Sequence, residues 1–123
     1  MLNHFADIVL KLSFRFDGKE LRRGDDVELT CSWPALGLTK YVTWYRKVSK
    51  DVERQMIWRY AEAFDPLTEF QDKFIHNTQS DYFSSHSIIM INVSDEDEGI
   101  YWCELLVSGT YYETAATLEV IGG

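Results

Sequence analysis

The sequence predicts an all-β domain, a sandwich or a barrel of eight or nine short strands. Two observations carry this. Apolar, β-branched and aromatic residues recur with period two over short runs, the pattern of a strand with one buried face. Clusters of Gly, Pro, Asn, Asp and Ser separate those runs about every 8–12 residues, the spacing of a multi-stranded β architecture. With 123 residues the chain is long enough for one domain with its own core. With 46% apolar residues it is too apolar for a disordered tail.

The strands follow in order. Residues 8–16 alternate apolar side chains with Lys11, Ser13 and Arg15, and turns follow at Asp17-Gly18 and Arg23-Gly24-Asp25. Val27, Leu29 and Cys31 then alternate with Glu28 and Thr30. A turn at residues 34–37 leads into 41–45, which is β-branched and aromatic. Residues 55–60 read as the next strand. Residues 53–63 also have helical propensity, but a helix there would interrupt an otherwise all-β chain. Residues 70–75 form a weaker candidate, 87–93 a strong one, and 100–107 and 111–120 close the set around Ser108-Gly109. No run approaches the ~20 apolar residues of a spanning helix. The start lacks the basic and apolar regions of a signal peptide. The end at Val120-Ile121-Gly122-Gly123 reads as a domain boundary within a longer protein.

Charge and cysteines narrow the function. Twelve Lys+Arg against 20 Asp+Glu give −8, which argues against nucleic acid or an anionic membrane as a charge-driven partner. Two cysteines, Cys31 and Cys103, exclude a disulfide-dense scaffold and a four-cysteine zinc site. They leave either one long-range crosslink or two unrelated thiols, and composition does not decide between them.

The surroundings of the cysteines are more specific. Cys31 lies mid-strand after Gly24, Val27 and Leu29; Trp44 lies mid-strand farther on; Cys103 closes Asp97-Glu98-Gly99-Ile100-Tyr101-Trp102-Cys103. This constellation resembles the immunoglobulin superfamily, and the 72-residue separation of the cysteines resembles its variable-type (V-set) form. The resemblance runs from about residue 18 to 120, within a single domain spanning 1–123. It implies an antiparallel two-sheet Greek-key sandwich with one Cys31–Cys103 disulfide between the sheets and Trp44 packed on it. It also implies a tyrosine corner at Tyr101, a pairing of Asp97 with Lys73, and a turn made by Gly24. The long gap from Trp44 to Cys103 leaves room for strands C′ and C″, at 56–60 and 62–67. A disulfide places the chain outside the reducing cytosol, at the cell surface or secreted.

The residues point to a binding module rather than an enzyme. His4, His76 and His86 stand at no metal-ligand spacing, the acidic run 95–98 fits no calcium loop, and no glycine-rich phosphate loop is present. No metal or cofactor is expected. If Trp44 and Cys103 point inward, Thr43, Tyr45 and Lys47 point outward, as do Trp102 and Glu104. With Ile57 inward, Met56, Trp58 and Tyr60 join them, together with one of Tyr111 or Tyr112. In the family's arrangement all lie on one sheet, GFCC′, and an aromatic-rich face of this kind marks a protein interface. Antigen receptors, junctional adhesion molecules and nectins pair through it. The expected partner is therefore a protein, a second copy included, in adhesion or immune-type recognition. Membrane attachment would come only through a segment outside this chain. Residues 110–120 lack the F-G-x-G bulge of rearranged antigen receptors. The short loop at 105–110 argues against a deep pocket. An alternative is a pattern-recognition module that stacks sugars on Trp33, Pro34 and Tyr111, and the blandest reading is a spacer domain. Asn92-Val93-Ser94 is a glycosylation sequon. Arg23-Gly24-Asp25 is an integrin-type tripeptide whose glycine the turn needs in any case. Ile89 and Ile91 are expected to face outward on the opposite sheet.

Overall fold

The computed structural model describes residues 8–34, 40–60, 70, 72–76 and 84–122. Its strands are β1 (Lys11–Arg15), β2 (Val27–Ser32), β3 (Lys40–Lys47), β4 (Gln55–Tyr60), β5 (Phe74–His76), β6 (Ser85–Met90), β7 (Gly99–Val107) and β8 (Thr110–Leu118). They form two four-stranded antiparallel sheets, ordered β1-β2-β6-β5 and β4-β3-β7-β8. The second is the GFCC′ sheet of the expected arrangement. His4 and the expected C″ strand at 62–67 lie outside the described residues.

Alternation decides which faces meet. Val27, Leu29 and Cys31 on β2 are buried, as are Tyr101, Cys103, Leu105 and Val107 on β7. Ile88, Met90 and Val93 are buried too, while Ile89 and Ile91 are half-buried. The Cys31–Cys103 disulfide crosses between the sheets. Trp44 pairs with Cys103 across β3 and β7 and is fully buried.

Residues 55–60 are strand, not helix, because β3 supplies cross-strand partners that outweigh local propensity. That pairing also corrects one expectation. Trp58 does not face solvent: it lies opposite Trp44 and is 0% exposed. The register shifts between Trp44 and Tyr45, so that Tyr45 pairs with Met56 and Ile57 is the extra residue. Such a bulge breaks the strict in–out alternation. Ile57 and Trp58 are consequently both buried, while Met56 stays on the outer face.

Glycines serve the turns that hold this frame. Gly24 adopts φ +89°, and its amide donates to the Val93 carbonyl at 2.8 Å, tying the turn before β2 to the segment that follows β6. Gly99 has φ +151°, and a Cβ there would overlap the Lys47 carbonyl oxygen, so only glycine lets β7 start against β3. Ser108 and Gly109 both have positive φ, as a two-residue type I′ hairpin requires. The β7–β8 connection is thus a tight turn flush with the sheet. At the far end of β8 the Ile121 amide donates to the Leu21 carbonyl at 2.7 Å, and Arg22 bridges Ile121 in parallel.

Candidate functional site

Beneath the sheets a buried ionic cluster sets the end of the sandwich where β7 begins. Asp97 sits in a single turn of 3₁₀ helix (Asp95–Asp97), its side chain 4% exposed. One carboxylate oxygen accepts from Arg46 Nη1 at 2.9 Å. The other accepts from Lys73 Nζ at 2.7 Å and from the Ser94 amide at 2.8 Å. Burial alone pushes this carboxyl up. The hydrogen bonds from Lys73, Ser94 and Arg46, with the Lys73 charge, outweigh burial and hold it below the usual carboxylate range. The Tyr101 hydroxyl donates to the Asp97 carbonyl at 2.6 Å, the geometry of a tyrosine corner. Burial pushes that phenol up to about 12 even against the nearby Arg46 charge. Arg46 was not among the residues the sequence singled out. Yet with Tyr45 outward it is inward by alternation, and an inward cation needs an anion. Its guanidinium also lies 5.3 Å from the Phe70 ring and 5.6 Å from the Phe74 ring.

A second buried polar group lies near the disulfide. His86 pairs with Cys31 across β2 and β6, and its Nδ1 accepts the Trp44 indole N–H at 2.9 Å. Its ring is 6.4 Å from Trp58 and 5.8 Å from His76, which stacks on Trp58. Burial and the neighbouring His76 charge hold His86 down to about 3, and burial lowers His76 as well. The unfolded chain takes a proton on histidine at about 6.5, which the folded His86 refuses. Stability from this group is therefore intact above about pH 6.5 and drains away as pH falls toward 3. At pH 5 the expected loss is roughly 2 kcal/mol. Denaturant unfolding at pH 7 and pH 5 reads it directly. His86→Gln keeps an acceptor without a titrating group and should shrink the difference. An unchanged difference would assign it elsewhere.

The outer face of β4-β3-β7-β8 carries a different chemistry. Tyr45 pairs with Met56 on one side and Trp102 on the other. Thr43 pairs with Arg59 and Glu104, and Glu104 with Glu113. Tyr41 pairs with Leu106, and Leu106 with Tyr111. Tyr111, 63% exposed, is the tyrosine of β8 on this face; Tyr112 lies opposite the inward Leu105 and packs on the core. Arg54 binds the face together. Its guanidinium lies 4.1 Å from the Tyr45 ring centroid and 5.3 Å from that of Trp102, and it pairs with Glu113 at 2.7 Å and Glu104 at 4.0 Å. The Tyr45 hydroxyl donates to Glu104 at 3.3 Å, and burial, followed by the Glu104 charge, raises its pKa. Lys47 donates to the Val52 carbonyl at 2.5 Å, which ties it to the β3–β4 connection. Beside this group lies a shallow depression of about 550 Å³ lined by Tyr41, Thr43, Tyr45, Arg59, Glu104, Leu106 and Tyr111.

The structure therefore gathers Tyr45, Lys47, Met56, Trp102 and Glu104 on one face, removes Trp58 to the core, and leaves the Tyr60 side chain outside the described residues. Arg54 and Arg59 belong with the face and were not anticipated. Each looks in sequence like an ordinary surface cation, and only their cross-sheet neighbours distinguish them. Trp33 is buried rather than free to stack on a sugar. In the Arg23-Gly24-Asp25 turn both charges are engaged: Arg23 is bonded twice by Asp95, and Asp25 accepts the Arg22 amide at 3.0 Å. Asn92 is exposed at positive φ.

Among the described residues no three or more metal-ligating side chains come together, and no helix is long and apolar enough to cross a membrane. Comparison with curated proteins finds no match. The family model of the immunoglobulin V-set domain matches residues 19–121. Domains of this kind are typically extracellular, non-enzymatic modules of recognition or adhesion that commonly bind proteins. A match of that length, laid on two four-stranded sheets joined by the Cys31–Cys103 bridge, means that the chain belongs to the immunoglobulin V-set family.

Proposed function

We propose that this domain is a cell-surface or secreted recognition module of the adhesion or immune-receptor type, and that it binds a protein partner through the β4-β3-β7-β8 face. The observation that carries this is the Arg54 stack. Tyr45 and Trp102 are held in place by a guanidinium that is itself anchored to Glu113, so the aromatic surface is organised before any partner arrives. Rigid aromatic and arginine side chains at the centre of a face are the usual anchors of protein interfaces. Among the described residues, the outer side of the opposite sheet carries scattered apolar residues such as Ile75, exposed, and Ile89, half-buried. Of the three residues considered for sugar stacking, Trp33 is buried, while Pro34 and Tyr111 are exposed, and the β7–β8 turn is the two residues Ser108-Gly109.

Tyr45→Ala and Trp102→Ala should each weaken partner binding by about fivefold or more, equivalent to about 1 kcal/mol or more. Ile89→Ser on the other sheet should leave binding unchanged. Screening the folded domain against a panel of cell-surface ectodomains, with light scattering to detect self-association, supplies the binding to be measured. Binding indifferent to both face substitutions, or a monomer that no ectodomain binds, would count against this face.

A further inference from the structure

On the reading that this face is the binding face, we infer that its depression receives a carboxylate-bearing loop of a heterophilic protein partner, anchored on Arg59. Three observations converge on that occupant. Arg59 is exposed in the lining of the depression, and its side chain makes no hydrogen bond or ion pair with another described residue. The carboxylates nearby are already matched: Glu113 and Glu104 by Arg54, and Glu104 also by the Tyr45 hydroxyl. An incoming cation would have to displace those pairings, whereas an incoming anion completes Arg59.

Charge distribution gives the second observation. The chain carries −8 overall, yet among the described residues the strands of this face and the residue before β4 set Lys47, Arg54 and Arg59 against Glu104 and Glu113. Among the described acids, Glu28 lies on β2 of the opposite sheet, and Asp25, Asp26, Asp95 and Glu96 lie in the turns before β2 and β7. An anionic group is repelled by the rest of the molecule and favoured here, which orients a partner on approach. A second copy would bring another −8 toward the first, so self-pairing works against long-range repulsion and a different protein is favoured.

The walls supply the third. Tyr41, Tyr111 and Leu106 line the same depression as Arg59 and give it apolar walls. Such walls lower the local dielectric and suit an aliphatic or aromatic side chain next to the acid. Of the polar groups in the lining, Thr43 is buried and the Tyr45 hydroxyl and Glu104 are engaged with each other, which leaves the Arg59 guanidinium as the charged group without an ion-pair partner.

A phage-displayed library of random peptides, selected on the folded domain, tests this. The expected winners carry Asp or Glu beside an apolar residue. Their affinity should fall roughly tenfold with Arg59→Ala, recover in part with Arg59→Lys, and weaken as salt rises. Thermal melts of both variants should match the parent, since the side chain is exposed. Winners lost with Tyr45→Ala but indifferent to Arg59→Ala overturn the carboxylate anchor and leave the face intact. Winners indifferent to Tyr45→Ala and Trp102→Ala overturn the face itself. A library without acidic winners, self-association that Arg59→Ala abolishes, or a sialylated glycan bound through Arg59 would each overturn the assigned occupant.

Discussion

Removing the Cys31–Cys103 bridge, by reduction or by the paired change Cys31→Ala and Cys103→Ala, is expected to cost about 4–5 kcal/mol of unfolding free energy. The reason lies in the unfolded chain. The crosslink closes a loop of 72 residues, and the chain entropy it removes from the denatured ensemble grows with the logarithm of that length. Single domains have only about 5–15 kcal/mol in total. The reduced domain should therefore unfold at a much lower denaturant midpoint, or fail to fold. Guanidinium titrations with and without reductant measure the difference. A shift below about 1 kcal/mol would mean that the reduced chain keeps compensating structure. Both sulfurs sit in the fully buried layer with Trp44, so the alanine pair also removes packing there.

Asp97→Ala should be nearly as damaging, by about 3–5 kcal/mol. The carboxylate is buried and answers two cations, so its loss leaves Arg46 largely buried without its anion and frees the Ser94 amide. Arg46 retains its hydrogen bond to the Tyr101 hydroxyl at 3.2 Å, a weak one to the Met90 sulfur at 3.9 Å and the faces of two phenylalanines, none of which carries a compensating charge. Combining Asp97→Ala with Arg46→Met should cost less than the sum of the two single changes, because the second removes the stranded charge. Strict additivity in that cycle would show that the two residues do not act together. The pH dependence has a definite sign. The folded carboxyl is held below its unfolded value of 3.8, so its contribution is present above that pH and is lost as pH falls through the lower folded value. This window lies below most of the range in which His86 acts. Acid titrations of Asp97→Ala and His86→Gln therefore separate the two groups: the first alters the curve below about pH 4, the second between about pH 6.5 and pH 4.

Much of the fold could be read along the chain because its signals are local. Period-two alternation around Cys31 and Cys103 states which side of each strand is apolar, and burial enforces that side. The run from Asp97 to Cys103 brings a turn, a corner tyrosine and a bridging cysteine within seven positions, so their relation survives in sequence. The same locality makes Tyr45, Trp102 and Glu104 outward residues once Trp44 and Cys103 point inward.

What could not be read depended on partners far away in sequence. Trp58 belongs to the core because one residue bulges out of register against β3, and a bulge is a property of two strands rather than one. His86 stands in a polar-looking stretch, Ser84-Ser85-His86-Ser87, and becomes a buried acceptor only because Trp44 arrives from the other sheet. Arg54 is an unremarkable cation until Tyr45, Trp102 and Glu113 lie around it, and Arg59 stands out only because its neighbours' charges are already taken. The strands, the crosslink and the general direction of each face follow from the sequence alone. Register, the buried ion cluster and the charge pairing across the recognition face were decided by tertiary structure, because each is a contact between residues that the chain itself keeps apart.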